Sequence, residues 1–76
     1  MRVLLVEDDK ETAQYVDKGL VQAGHITDVV SDGKDGLALA IRETYDIVIV
    51  DRMLPGLDGL TLARTLRSAG SRVPIL

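Results

Sequence analysis

Four consecutive β-branched residues, Ile47-Val48-Ile49-Val50, leave this chain little choice of fold. A run of this kind with no polar alternation reads as a strand buried on both faces, the habit of a central strand in a parallel sheet. Asp46 precedes the run and Asp51 closes it. In open α/β sheets ligands bind beyond the carboxyl ends of the strands, so Asp51 stands where such a fold does its chemistry. The loop that follows, Arg52-Met53-Leu54-Pro55-Gly56, is shaped by its last two residues. Pro55 fixes its own φ and drives Leu54 toward extended geometry, while Gly56 accepts backbone conformations closed to other residues. Arg52 is expected to face solvent or a partner.

The remaining elements follow from periodicity and punctuation. Val3-Leu4-Leu5-Val6 is a second apolar run that also ends in acids, Glu7-Asp8-Asp9. Asp8 or Asp9 can cap a helix whose apolar positions Ala13, Val16, Leu20 and Ala23 recur every three or four residues, with Gly24 as its stop. Ile26 to Val30 is a shorter, more polar strand that suits a sheet edge, and Ser31-Asp32-Gly33 turns it into a helix over about 34–43 with Leu37, Ala40 and Ile41 on one face. Asp58 can cap a third helix carrying Leu60, Ala63, Leu66 and Arg67, closed by Gly70. Val73-Pro74-Ile75-Leu76 opens a fourth strand, because Pro74 is tolerable at a strand start. The order βαβαβαβ, with helical crossovers, predicts an α/β doubly wound parallel sheet.

If the first and third strands are neighbours, Asp8 and Asp51 converge with Glu7 beside them. Two like charges at ~4 Å repel by roughly 4 kcal/mol at an effective dielectric of 20. Either one carboxyl takes up a proton or a divalent cation binds, and hard oxygens with room for water and phosphate suit Mg2+ rather than zinc. A backbone carbonyl at about Met53 can complete such a site. Asp9 and Asp58 read as caps, and His25 as an exposed start to the second strand without a ligand role.

Composition sets bounds on this picture. A chain of 76 residues buries only about 60% of its unfolded surface, and without cysteine it has neither disulfides nor thiolate metal sites. Its net charge of -3 argues against binding nucleic acid by its own electrostatics. Apolar runs are short and broken by charge, which predicts no membrane segment and a cytoplasmic location.

Val6-Glu7-Asp8-Asp9 and Val50-Asp51-Arg52-Met53-Leu54-Pro55-Gly56-Leu57-Asp58-Gly59 resemble the acidic pair and the phosphoacceptor segment of the receiver domain of two-component response regulators. The wording of the second motif is similar to the OmpR/PhoB-type branch, and the likeness spans all 76 residues. It implies a flavodoxin-like receiver fold with strand order 2-1-3-4-5, of which residues 1–76 are the receiver domain, truncated after the start of strand four and incomplete at its C-terminus. The resemblance makes Asp51 the aspartate phosphorylated by a sensor histidine kinase. It gives Mg2+ to Asp8, Asp51 and the Met53 carbonyl, with Glu7 acting through water, and it implies control of an absent C-terminal winged-helix DNA-binding domain in transcription regulation. The family's Ser or Thr at the end of strand four and Lys at the end of strand five are then expected beyond Leu76.

Two other functions fit the residues alone. A metal-dependent phosphatase or phosphotransferase also uses a strand-end aspartate nucleophile, but the best-known such fold expects a second acid where Met53 stands, so no enzyme is expected beyond self-catalysed phosphotransfer. A protein-interaction module that never accepts phosphate is the third reading. A chain ending at Leu76 is also expected to self-associate, through the edge formed by 73–76 and one face of the third strand.

Overall fold

Strand β1, Arg2–Val6, is the centre of the sheet, with Leu4 and Val6 0% exposed and Val3 and Leu5 nearly so. It pairs in parallel on one side with β2, Ile26–Val30, and on the other with β3, Ile47–Val50, giving the order β2-β1-β3. These relations come from a computed structural model that describes residues 1–51, 54 and 56–76. The fourth apolar segment joins on the far side of β3, where Ile75 bridges Val48 in parallel and the Val48 and Leu76 amides exchange hydrogen bonds with the Pro74 and Val48 carbonyls. Pro74, which has no N–H, contributes only its carbonyl to that ladder.

The crossovers are three helices, α1 (Lys10–Gln22), α2 (Gly33–Arg42) and α3 (Gly59–Ser68). Each begins on an aspartate that accepts hydrogen bonds from its first-turn amides: Asp9 from Thr12, Asp32 from Lys34 and Asp35, and Asp58 from Thr61. The expected stops are also in place, since Gly24 and Gly70 follow α1 and α3 with φ of 91° and 88°, a backbone region that L side chains avoid. Helix α2 packs on the face of the sheet that carries Leu4, Val6 and Val48, where Leu39 and Ala40 meet the core. Helix α3 lies against α2 on that side, while α1 lies against β1 and β2. The alternation of Val3 and Leu5 with Leu4 and Val6 assigns α1 to the opposite face.

Four expectations need correction. The third strand is fully buried only at Val48, with Ile47, Ile49 and Val50 partly exposed. β1 lies between two full strands, whereas the far side of β3 is met only by the short segment around Ile75, and burial follows that difference. The inward stripe of α3 runs through Gly59, Leu62 and Leu66, whereas Leu60 is 58% exposed. Ile41 at the end of α2 is likewise 57% exposed, and Ala23 is the exposed C-cap of α1 rather than part of its packed face. A helix stripe is set by how the preceding loop enters the helix, and spacing alone does not fix that rotation. The second strand, as expected, forms an edge of the sheet.

At the N-terminal end of the sheet, opposite the strand-end acids, a polar cluster ties the elements together. The Arg2 guanidinium reaches Asp28 and Glu43 and lies 4.9 Å from the centre of the Tyr45 ring, while the Tyr45 hydroxyl donates to Asp28 at 2.7 Å. Burial first, and then that hydrogen bond, push the Tyr45 phenol up to about 12. Asp46 exchanges hydrogen bonds with the Arg2 backbone, accepting the amide on its carboxylate and donating its own amide to the carbonyl. His25, expected as an exposed start to the second strand, is half-buried and has its Nδ1 3.1 Å from the Met1 amino group.

Candidate functional site

Register brings the acids together. Val6 pairs with Val50, so the next residues on the two strands, Glu7 and Asp51, are level. The Asp51 amide donates to the Val6 carbonyl at 3.0 Å and the Glu7 amide to the Val30 carbonyl at 2.9 Å, which holds both strands closed up to their last residue. One ligand oxygen each from Glu7, Asp8 and Asp51 then falls within 4.8 Å of the others. This is the convergence expected from the sequence for three of its four site residues. The fourth, the Met53 carbonyl, lies outside the described residues, as do Arg52 and Pro55.

The three carboxylates differ in setting. Asp8 is exposed, whereas Glu7 and Asp51 are half-buried. Burial raises the Glu7 carboxyl above the ordinary glutamate range; the Asp9 amide, which donates to Glu7 Oε2 at 3.2 Å, pulls against this, and the neighbouring Asp51 and Asp8 carboxylates reinforce the rise. Crowded acids of this kind are relieved by a proton or by a cation. The donor set is all carboxylate, three hard oxygens without nitrogen or sulfur, and its chemistry fits Mg2+ and not a metal that prefers His or Cys.

Beside Glu7 and Asp8 a cavity of about 290 Å³ opens between α1 and the end of β2, bounded by Lys10, Gln14 and Asp17 on one side and Val30 and Ser31 on the other. Helices α1 and α2 begin four and three residues after the ends of β1 and β2, so their unpaired amides and positive dipole ends lie at that edge of the sheet, whereas α3 begins only at Gly59. Asp9 and Asp58 spend their carboxylates on these helix starts. Thr12 holds Asp9 below the ordinary aspartate range through hydroxyl and amide donors, and Thr61 does the same for Asp58 through amide and hydroxyl. Both therefore act as caps and stand apart from the three-acid group.

Two close approaches shape the chain beyond Asp51, and sequence reasoning missed both. Gly33, the first residue of α2, faces the Leu57 backbone so tightly that a Cβ there would stand 2.8 Å from the Leu57 carbonyl carbon and closer still to its oxygen. Gly56, with φ of 81°, lies against the Asp32 carboxylate, whose Oδ2 would be 2.7 Å from a Cβ at that position. The motif Ser31-Asp32-Gly33 signalled a helix start, but only the folded chain shows what sits on it.

A family model described as the response regulator receiver domain matches residues 3–76. The transcriptional regulatory protein HprR of Escherichia coli strain K12 is 46% identical over 76 residues, covering 100% of this chain and 34% of its own length. The chain thus spans about a third of the curated relatives it matches. Among solved structures, the Francisella response regulator 1452 receiver domain superposes with a TM-score of 0.95 at 36% identity, over 97% of this chain and 61% of that one. The receiver domain of sensor histidine kinase PA1611 from Pseudomonas aeruginosa PAO1, solved with a magnesium ion coordinated in its active site cleft, gives 0.83 at 36% identity, over 97% and 62%. Among the described residues, no helix is long and apolar enough to cross a membrane.

Proposed function

This chain belongs to the response regulator receiver domain family, and we propose that within it Asp51 accepts a phosphoryl group from a sensor histidine kinase while Asp8 and Asp51 hold Mg2+. The observation that carries this reading is the meeting of Glu7, Asp8 and Asp51 oxygens within 4.8 Å at the ends of adjacent parallel strands. In the proposed step an Asp51 carboxylate oxygen attacks phosphorus in line, the phosphorus–nitrogen bond to the kinase imidazole breaks, and the imidazole keeps that bond's electron pair. The product is an acyl phosphate on Asp51. Bound Mg2+ supplies charge neutralisation for the phosphoryl oxygens. Asp8, exposed at the rim, presents a carboxylate to the cation, and Glu7 is fixed behind it by the Asp9 amide.

The chain acts as a phosphoacceptor rather than as an enzyme on a separate substrate. By analogy with its transcription-regulating relatives, its phosphorylation controls a DNA-binding domain elsewhere in the same protein, in the cytoplasm. Incubation with acetyl phosphate and Mg2+ tests the assignment. Intact mass should rise by one phosphoryl group per chain, hydroxylamine should remove it, and Asp51→Ala should abolish it. A label that persists in Asp51→Ala, or an unchanged mass in the parent, overturns the reading, and the second outcome favours a binding module that never accepts phosphate.

A further inference from the structure

We propose that Asp32 and Gly33, at the start of α2, are positioning residues for the acid centre, acting by clamping Gly56 and Leu57 and so fixing the course of the chain that leads from Asp51 to α3. This inference rests on the function proposed above. Its basis is two contacts that a mere helix start does not require. Gly33 packs against the Leu57 backbone with no space for even a methyl group, and backbone is not a neighbour that rotates aside. The Asp32 carboxylate divides its two oxygens: Oδ1 caps α2 through the Lys34 and Asp35 amides at 2.7 and 3.3 Å, and Oδ2 rests against Gly56.

Gly56 itself has a positive φ of 81° and the chain bends there, beside the carboxylate. The β3–α3 connection is therefore held at its far end by the helix that follows β2, while its near end is held by the Asp51 amide on Val6. Neither Asp32 nor Gly33 belongs to the group of three acids. Gly56 and Leu57 stand only five and six residues after Asp51 in sequence, so their placement is tied covalently to Asp51, and cation sites and in-line transfer both respond steeply to small displacements.

The test compares Gly33→Ala with Gly36→Ala in the intact protein. Gly36 is also tight, its Cβ position lying 2.8 Å from Val6 Cγ2, but its neighbour is a side chain of β1 and not the backbone beyond Asp51. Mg2+ affinity is read from the amide resonances of Glu7, Asp8 and Asp51, and the acetyl phosphate reaction is followed at saturating Mg2+. Gly33→Ala should weaken Mg2+ binding by about threefold and slow phosphorylation by about tenfold, and Gly36→Ala should keep both within about twofold at matched folded fraction. Asp32→Ser keeps a capping hydroxyl and withdraws Oδ2 from Gly56, so it keeps the test decisive if Gly33→Ala does not fold, and it too should weaken Mg2+ binding. Parent-like binding and rate in these variants, or a loss that Gly36→Ala shares, overturns the proposal. If the parent itself neither binds Mg2+ nor takes up phosphate, it is the functional reading that fails. The clamp is then judged by the Gly56, Leu57 and Asp51 amide resonances alone, and their failure to move in Gly33→Ala or Asp32→Ser overturns it.

Discussion

Replacing Gly36 by alanine sets two effects of known size against each other. Gly36 lies inside α2, where alanine is favoured over glycine by about 0.8–1.0 kcal/mol. The added methyl would stand 2.8 and 3.0 Å from the two γ-carbons of Val6 and 3.5 Å from one of Val30, against an optimum of about 3.5–4.0 Å between carbons. Val6 is 0% exposed and β-branched, so rotation about its χ1 carries one methyl away only by bringing other atoms into the packed core. Overpacking of this kind costs about 1–3 kcal/mol. The net expectation is a loss of about 0–2 kcal/mol, read from urea unfolding midpoints at constant m-value. Val6→Ala alone should cost about 2 kcal/mol, two methyl-sized groups at ~0.8 kcal/mol each plus a cavity term. In that background the obstruction is gone, and Gly36→Ala should raise stability by about 1 kcal/mol. The change of sign amounts to a coupling of about 1–3 kcal/mol. Gly36→Ala that stabilises the parent by the full propensity gain, or two substitutions that simply add, would refute the close packing of α2 on β1.

Asp8→Asn and Asp51→Asn should each weaken Mg2+ binding by about tenfold, the loss of roughly 1.4 kcal/mol of ion attraction, in a calorimetric titration; parent-like binding by both would exclude the site. Tyr45 is held up at about 12 against an ordinary value of 10.0. The folded state therefore keeps its phenol proton longer than the unfolded state. Stability from this group is complete below pH 10.0, is lost as pH rises toward about 12, and should show a flatter alkaline profile in Tyr45→Phe. Asp58 is held below its ordinary 3.8 by Thr61, so its contribution is present above that pH and is lost as pH falls through the lowered value. Asp58→Asn retains a capping oxygen without that titration, and an acid unfolding curve as steep as the parent's would contradict the assignment.

The parts of the fold that were legible in sequence are those fixed within one segment. The apolar runs at 3–6 and 47–50 became adjacent strands, and the acids after them became the site, because a parallel sheet joined by helices brings alternate strand ends to one edge. Asp9 and Asp58 capped their helices because a cap depends only on the next three residues. What escaped depends on how segments meet. Leu60 and Leu62 each fit a helical stripe, and it is the packing of α3 on α2 that buries Leu62 and leaves Leu60 outside. The cluster of Arg2, Asp28, Glu43 and Tyr45 needs the register that pairs Arg2 with Ile26, and no spacing within any one element announces it. Gly33 read as a turn residue, and its contact with Leu57 depends on the loop rather than on the helix it begins.

Because β1 has a bonded neighbour on each side, its amides and carbonyls are shielded by two strands and by helices on both faces. Opening them to solvent requires β2 or β3 to leave, which is nearly global unfolding, so backbone deuterium uptake should be slowest at 3–6. The amides of exposed Asp8 and Asp9 follow within two or three positions of that strand. The acid centre thus straddles the steepest gradient of local stability in the chain. One side of it is anchored to the last part of the molecule to open, and the other is free to adjust when charge arrives.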